Sequence, residues 1–240
     1  MALTRKKVRV LVVDDSAVAR SYLISGLSTR QNIEVVGYAI NAADAMRKVE
    51  ALQPDVMTLD VEMPDMSGID LLKQLLPKYS VRVILVSSLN LRVFDALAAG
   101  AVDFVRKPDG SLTKEEFIAT LSQKIVIASF AKVRSMPTAR PGTQPAQPAG
   151  TNPLLGNTPA LGQVLIGLGA STGGTEATLE VMKRLPADIP PMVIVQHMPP
   201  GFTKMYAQRL DRMCAMEVRE AVDGDELRRG LAVVRVRMTD

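Results

Sequence analysis

The chain has 240 residues, of which 47% are hydrophobic and 22% charged, with a net charge of +4 and no tryptophan. This composition predicts a globular protein with one large or two modest domains, in a cytoplasmic and reducing location. A single cysteine excludes an intrachain disulfide, a single histidine argues against an ordinary His/Cys zinc site, and scattered basic residues argue against nucleic-acid binding. No run reaches the roughly 18 apolar residues of a membrane span, so we expect no direct membrane insertion.

Apolar runs alternate with helix-like stretches up to residue 130. The run "VRVLVV" (8–13) predicts a strand buried on both faces, and Ser16 is placed to cap a helix over 17–28. The other predicted strands are 33–39, 55–60, 81–87 and 102–107, and the other predicted helices are 41–52, 68–76, one that ends at 99, and 112–130. Five strands alternating with five helices predict a parallel, doubly wound α/β sheet.

Residues 131–160 interrupt this alternation. The segment holds six of the fifteen prolines, with Gly, Thr and Gln between them. Such a composition buries too little apolar surface to fold, so we predict a linker between a domain over 1–130 and a second unit over 161–240. The second unit restarts the alternation, with predicted strands at 163–169, 191–196, 216–222 and 231–237 and helices at 174–184 and 203–213.

Polar residues stand at the carboxyl ends of the strands predicted in the first domain: Asp14 and Asp15, then Asp60, Ser87 and Lys107. In an open α/β sheet these ends form the ligand crevice. Converging carboxylates require a cation there, and Mg²⁺ suits hard oxygen ligands together with phosphate. Asp60 would attack phosphorus to form an acyl phosphate, while Ser87 and Lys107 would contact the phosphoryl oxygens. Each residue alone is explained as a helix cap, a turn residue or a surface lysine, but four such strand ends favour a site.

The motifs "LVVDDS", "LDVEMPDMSG", "ILVSS" and "DFVRKP" resemble the response-regulator receiver family over residues 6–130. The resemblance implies a flavodoxin-like fold in which Asp60 accepts phosphate from a phosphohistidine kinase. Ser87 and Phe104 match the family's switch positions, where many members have Thr and Tyr. The resemblance also implies a cis peptide bond between Lys107 and Pro108 that holds the lysine inward.

The same resemblance implies how Mg²⁺ is bound in the receiver. Asp15 and Asp60 would bind the ion through their side chains. Glu62 would bind it through its backbone carbonyl oxygen, and Asp14 indirectly through water.

In the second unit, the stretch "GLGASTGGTEA" (167–177) allows three interpretations. A dinucleotide-binding turn would end in glycine, where this chain has Thr172, and would need an acidic residue where the next strand ends in Gln196. A P-loop would need lysine, where this chain has Thr175 followed by Glu176. The third interpretation makes Ser171 a nucleophile on a strand-to-helix turn, where small neighbours admit substrate and a helix N-terminus offers N–H groups to an oxyanion.

A nucleophilic serine needs a base, and the one histidine of the chain, His197, stands at the carboxyl end of the next predicted strand. Because adjacent parallel strands end at the same edge of a sheet, we expect Ser171 and His197 to meet. A lone histidine is more often an ordinary structural residue, but its strand-end position favours the role of base here.

The stretches "GASTGGTEA" and "QHMPPGFT", placed after a receiver and a Pro-rich linker, resemble the CheB family of chemotaxis protein-glutamate methylesterases. The resemblance implies that Ser171 attacks glutamate methyl esters on the cytoplasmic part of methyl-accepting chemotaxis receptors, with His197 as base and no cofactor in the esterase site. It implies deamidation of receptor glutamines and a chemotaxis histidine kinase as phosphodonor. It also implies that the receiver covers the esterase site until Asp60 is phosphorylated.

In the family the third member of the triad is an aspartate far downstream, and we do not assign that role to Asp223 or Asp225, which belong to a predicted turn. The resemblance weakens after residue 228, and Arg229 stands where a proline is common. We therefore expect a truncated or frameshifted family member with an incomplete doubly wound methylesterase domain. Two alternatives stay open: a non-catalytic response regulator acting as a phosphate sink or receptor binder, and a DNA-binding regulator, which the lack of a helix-turn-helix pattern disfavours.

Overall fold

A computed structural model of the chain describes residues 6–88, 92–108, 113–131, 164–199 and 201–236. The predicted linker over 131–160 lies outside these residues, apart from residue 131, and residues 237–240 lie outside them as well. Among the described residues, no helix combines the length and the apolar character that crossing a bilayer requires.

The N-terminal half alternates strands and helices as the sequence predicts. Its strands are β1 (Val8–Val13), β2 (Ile33–Ala39), β3 (Val56–Asp60), β4 (Arg82–Ser87) and β5 (Asp103–Arg106). Its helices are α1 (Ala17–Ser28), α2 (Ala42–Leu52), α3 (Gly68–Leu75), α4 (Arg92–Ala98) and α5 (Lys114–Ser129). The strands are parallel in the order β2-β1-β3-β4-β5, which confirms the flavodoxin-like, doubly wound sheet.

Local capping fixes where several of these helices begin. The side chain of Ser16 accepts a hydrogen bond from a backbone N–H of α1, and Asn41 does the same for α2. Helix α5 begins with a capping box, in which Thr113 and Glu116 each accept a hydrogen bond from the other's backbone N–H. The cap at Thr113 sets the start of α5 two residues later than predicted.

The C-terminal half forms a second parallel sheet. Its elements are β6 (Ile166–Ala170), α6 (Gly174–Met182), β7 (Met192–Gln196), α7 (Phe202–Met213), β8 (Glu217–Glu220) and β9 (Leu231–Val236), and the strand order is β6-β7-β9-β8. Met192 and Ile194 of β7 are buried in the same apolar cluster as residues of both helices. On the opposite face, Val193 is half-buried and Val195 is exposed. In the described residues, α6 and α7 thus pack on the same face of the sheet.

One apolar cluster connects the two halves of the molecule. It runs from α3 and α4 of the N-terminal half into α6, α7 and the second sheet. The ring centroids of Phe94 and Tyr206 lie 5.8 Å apart, and those of Phe104 and Phe202 lie 4.5 Å apart. The other face of the first sheet has a separate cluster beneath α1 and α5. Helix α4 and Phe104 of the first half are therefore packed against helices α6 and α7 of the second half.

Candidate functional site

The predicted carboxylates of the first domain come together. Asp14 and Asp15 follow β1, Asp60 ends the neighbouring β3, and carboxylate oxygens of all three lie within 4.8 Å of one another. Asp14 and Asp60 are buried, whereas Asp15 is exposed. The pocket therefore offers hard oxygen ligands with one side open to solvent, which is an arrangement that suits Mg²⁺.

Lys107 supplies positive charge to this pocket. Its Nζ lies 2.5 Å from an oxygen of Asp60 and 3.2 Å from an oxygen of Asp14. The described residues contain no cis peptide bond, so the expectation of a cis bond before Pro108 was wrong. The lysine is held inward by its two ion pairs and by its backbone N–H, which donates to the carbonyl oxygen of Ser87 at 2.8 Å.

Burial and charge act on the pKa values of this pair in opposite ways. Burial raises the pKa of Asp60, the hydrogen bond and charge of Lys107 offset part of that rise, and the charge of Asp14 adds to it. Burial alone would lower the pKa of Lys107, but the hydrogen bond and charge of Asp60, with the charge of Asp14, raise it above its ordinary value. The lysine is therefore protonated at neutral pH.

The two residues that the receiver resemblance implies as switch positions lie in different surroundings. Ser87 ends β4, next to β3, and its buried Oγ has no hydrogen-bond partner among the described residues. An unpaired buried hydroxyl normally destabilises a fold, and a phosphoryl oxygen would satisfy it. Phe104 is buried and lies against Phe94 and Phe202, so the second predicted switch residue contacts the C-terminal half. Glu62 donates its backbone N–H to Asp60, at 3.1 Å.

Ser171 and His197 lie at the same edge of the second sheet. Strands β6 and β7 pair in parallel register, with Ala170 opposite Gln196 as the last residue of each strand. Ser171 and His197 directly follow these two residues. The backbone N–H of His197 donates to the carbonyl oxygen of Ala170 at 3.2 Å. Both residues are exposed. The register therefore brings the nucleophile and base candidates side by side, as expected from adjacent parallel strands.

The turn after Ser171 places the residue ahead of a helix N-terminus. Gly173 has a φ of 76° and precedes α6, a conformation that side chains rarely allow. The backbone N–H of Gly174 donates to the carbonyl oxygen of Ser171 at 2.7 Å. The N-terminus of α6, with its positive potential, thus begins directly after the turn that contains Ser171.

The side chains of Ser171 and His197 are not joined to each other in the way that their backbones are. In the part of the chain that the structure describes, no hydrogen bond joins the Ser171 hydroxyl to the His197 imidazole. Within the same residues, no carboxylate forms an ion pair with that imidazole. Catalytic hydrogen bonds are often long without substrate, so the backbone register is the informative observation.

The residues that join the two halves are not apparent from the sequence pattern. Phe202 and Tyr206 lie in the first half of α7, and their rings contact Phe94 of α4. The guanidinium of Arg209 lies 5.6 Å from the centre of the Phe94 ring. Arg209 also pairs with Glu176 of α6 at 2.5 Å. The i, i+4 spacing of Phe202 and Tyr206 signals a buried helix face, but it does not say which surface covers that face.

Comparisons with known proteins match both halves of the chain. Residues 10–120 match the response regulator receiver domain family, and residues 166–238 match the CheB methylesterase family. The response regulator domain of Thermotoga maritima CheB superposes with a TM-score of 0.50 and 40% identity, over 53% of this chain and 99% of that domain. The chain therefore joins a response regulator receiver domain to a CheB methylesterase domain.

Curated relatives align with this chain over nearly its whole length. A protein-glutamate methylesterase/protein-glutamine glutaminase of Syntrophotalea carbinolica is 44% identical over 95% of this chain and 66% of its own length. The second such protein of Syntrophomonas wolfei is 42% identical over 95% of this chain and 65% of its own length. The chain therefore spans just under two-thirds of the length of these curated relatives.

Proposed function

We propose that the chain is a phosphorylation-controlled demethylase of methyl-accepting chemotaxis receptors, which also deamidates receptor glutamines. The observation that carries the proposal is the register at the edge of the second sheet, where Ser171 and His197 directly follow the paired residues Ala170 and Gln196. The family's relatives support the substrate class, because they are named protein-glutamate methylesterase/protein-glutamine glutaminase. The proposed location is the cytoplasm, where the signalling parts of such receptors lie.

In the proposed reaction, the serine first acts as the nucleophile that accepts the acyl group and later as the leaving group when water releases that group. The Oγ of Ser171 attacks the ester carbonyl carbon while His197 takes its proton, and N–H groups at the start of α6 stabilise the oxyanion. The methoxide then leaves as methanol with the proton from His197. Water attacks the acyl-serine with His197 as base, which releases the glutamate carboxylate and restores the serine. With a glutamine substrate, ammonia leaves instead of methanol.

The proposed phosphorylation takes place on Asp60. One of its carboxylate oxygens attacks the phosphorus of a phosphohistidine on a chemotaxis histidine kinase, and the histidine leaves. Lys107 and the unpaired hydroxyl of Ser87 are placed to contact the phosphoryl oxygens. Mg²⁺ would be held by Asp60, with the three residues Asp14, Asp15 and Glu62 completing the site as in the family, and when bound it neutralises charge on the phosphoryl group.

We propose that phosphorylation regulates the esterase site by changing how the aromatic rings pack between the two halves. Phe104 is the switch residue of the receiver, and it lies against Phe202 at the start of α7, which follows the His197 loop. Drawing Ser87 towards a phosphoryl group would alter the packing of Phe104 and weaken the contact with α7. Phosphorylation would thereby shift the population from a covered to an open esterase site.

The test is methanol release from methylated receptors by the phosphorylated 240-residue chain. We expect release by the wild-type chain and by Ser25→Ala, a matched control that removes an exposed hydroxyl of α1. Ser171→Ala and His197→Gln should fall to background. If the wild-type chain releases no more methanol than Ser171→Ala, the esterase proposal is wrong, and the receiver would act alone as a phosphate sink or receptor binder.

A further inference from the structure

Gln196 is the last residue of β7, and its side chain reaches the backbone of both Ser171 and His197 in the proposed esterase site. It is 2% exposed, although its side chain is polar. Its Nε2 donates to the carbonyl oxygen of Ser171 at 3.0 Å and to the carbonyl oxygen of His197 at 3.3 Å. One carboxamide group therefore connects the backbone of the proposed nucleophile to the backbone of the proposed base.

The two acceptors fix the orientation of this carboxamide. If the amide were turned over, its oxygen would face two carbonyl oxygens, and neither contact would contain a proton. In the observed orientation, Oε1 is buried without a hydrogen-bond partner among the described residues. Burying an unpaired acceptor is normally destabilising. The orientation is therefore set by the two bonds that Nε2 donates.

The neighbouring glycine leaves room for the carboxamide. A Cβ on Gly174 would come within 2.6 Å of the Oε1 of Gln196 and within 2.6 Å of the Cβ of Ala170. The backbone N–H of Gly174 also donates to the Ser171 carbonyl oxygen. That oxygen therefore accepts two hydrogen bonds, one from the start of α6 and one from the neighbouring strand.

We propose that Gln196 is a positioning residue, which fixes the separation of the Ser171 and His197 backbones before substrate binds. The inference rests on the proposed function, because it assigns the residue to that reaction. Gln196 need not contact the substrate, since it acts through the two carbonyl groups. Small displacements of reacting groups can cost about 10²-fold in rate, so a loss of this clamp should reduce turnover without weakening receptor binding.

The experiment compares Gln196→Met and Gln196→Glu with Ile194→Val. Methionine keeps the length of the side chain without a donor, and ionised glutamate only accepts hydrogen bonds. Ile194 is buried two residues earlier in the same strand and has a side chain without hydrogen-bonding groups, so it controls for core packing. We expect kcat for methanol release to fall about 10- to 100-fold in both Gln196 variants, with KM within about twofold of the wild type. Ile194→Val should lower the melting temperature and leave kcat unchanged.

A second readout needs no substrate. Amide hydrogen exchange of the wild-type chain and the variants reports the backbone of Gly174 and His197 directly, and both N–H groups should exchange at least tenfold faster in Gln196→Met. If the wild-type chain releases no methanol, the proposed function fails, while the exchange comparison still decides whether the clamp exists. Unchanged exchange in Gln196→Met, or a rise in KM at constant kcat, would overturn the inference.

Discussion

At the scale of single residues, Lys107 shows how one side chain balances a buried acidic pocket. Asp14 and Asp60 are almost fully buried, while the Lys107 side chain that pairs with both is 28% exposed. Burial keeps the pKa of Asp60 raised even with the lysine in contact. Without the ammonium, both carboxylates would lose their cationic partner in a site that water reaches poorly, so the pocket would depend more on a divalent cation.

Lys107→Met should therefore destabilise the metal-free chain. We expect a loss of about 1–3 kcal/mol in the free energy of unfolding at pH 7, because the substitution leaves buried carboxylates without their ion pair. Thermal unfolding in EDTA measures the loss, and added Mg²⁺ should raise the melting temperature of the variant more than that of the wild type. Lys73→Met, on the exposed side of α3, is the matched control. Equal melting temperatures for the two variants in EDTA would contradict the prediction.

At the scale of helices and strands, the sequence predicts the order of elements well. Parallel strands covered on both faces give continuous apolar runs, such as 8–13, and hydroxyl and amide caps mark helix starts, such as Ser16 and Asn41. The register of neighbouring parallel strands also predicts that Ser171 and His197 share an edge. Chain order does not indicate which charged residues become buried together, because that depends on how a helix rotates onto the sheet.

The pair formed by Asp103 and Lys124 is such a case. Asp103 begins β5 and Lys124 lies on α5, both are about 5% exposed, and their charged atoms are 2.8 Å apart. Asp103 also accepts the backbone N–H of Phe104. The amphipathic pattern of α5 does not predict that Lys124 is buried, because lysines usually lie on the solvated face of a helix. The pair holds α5 against β5, the strand that contains Phe104.

Removing one member of this pair should cost more than removing both charges. Lys124→Met should lower the free energy of unfolding by about 3–5 kcal/mol, because it leaves a buried carboxylate unpaired, and adding Asp103→Asn should recover part of that loss. Urea denaturation of the two single variants and the double variant gives the coupling energy. Lys114→Met, at the exposed start of the same helix, should stay within about 0.5 kcal/mol of the wild type. A double variant less stable than Lys124→Met would contradict this account.

At the scale of the whole molecule, the order of the two domains can be predicted from the sequence, but their packing cannot. Phe94 and Phe104 belong to the receiver, Phe202 and Tyr206 belong to α7, and all four are buried. Burial raises the pKa of Tyr206 far above its ordinary value, so its hydroxyl stays protonated and donates to the carbonyl oxygen of Thr175. Each ring would pack equally well in the core of its own domain, so the sequence alone does not reveal an interface.

Phe94→Ala tests whether these rings hold the domains together. The ring centroid of Phe94 lies 5.8 to 6.4 Å from the ring centroids of Phe104, Phe202 and Tyr206. Truncating Phe94 to alanine therefore removes its ring contacts with both domains. Phe117→Ala is the matched control, because Phe117 is equally buried but stacks on Tyr22, on the other face of the receiver sheet. Both substitutions should cost about 3–5 kcal/mol in the free energy of unfolding of the receiver.

Only the first substitution removes contacts between the domains, so the two variants should differ in shape while sharing a similar loss of stability. Small-angle X-ray scattering at a temperature where both variants are folded should give a larger radius of gyration for Phe94→Ala than for Phe117→Ala or the wild type. Hydrogen exchange should also rise in α7 of Phe94→Ala, because the helix loses its cover. Identical scattering from the two variants would mean that other contacts, such as those between α4 and α6, are sufficient to hold the receiver against the C-terminal half.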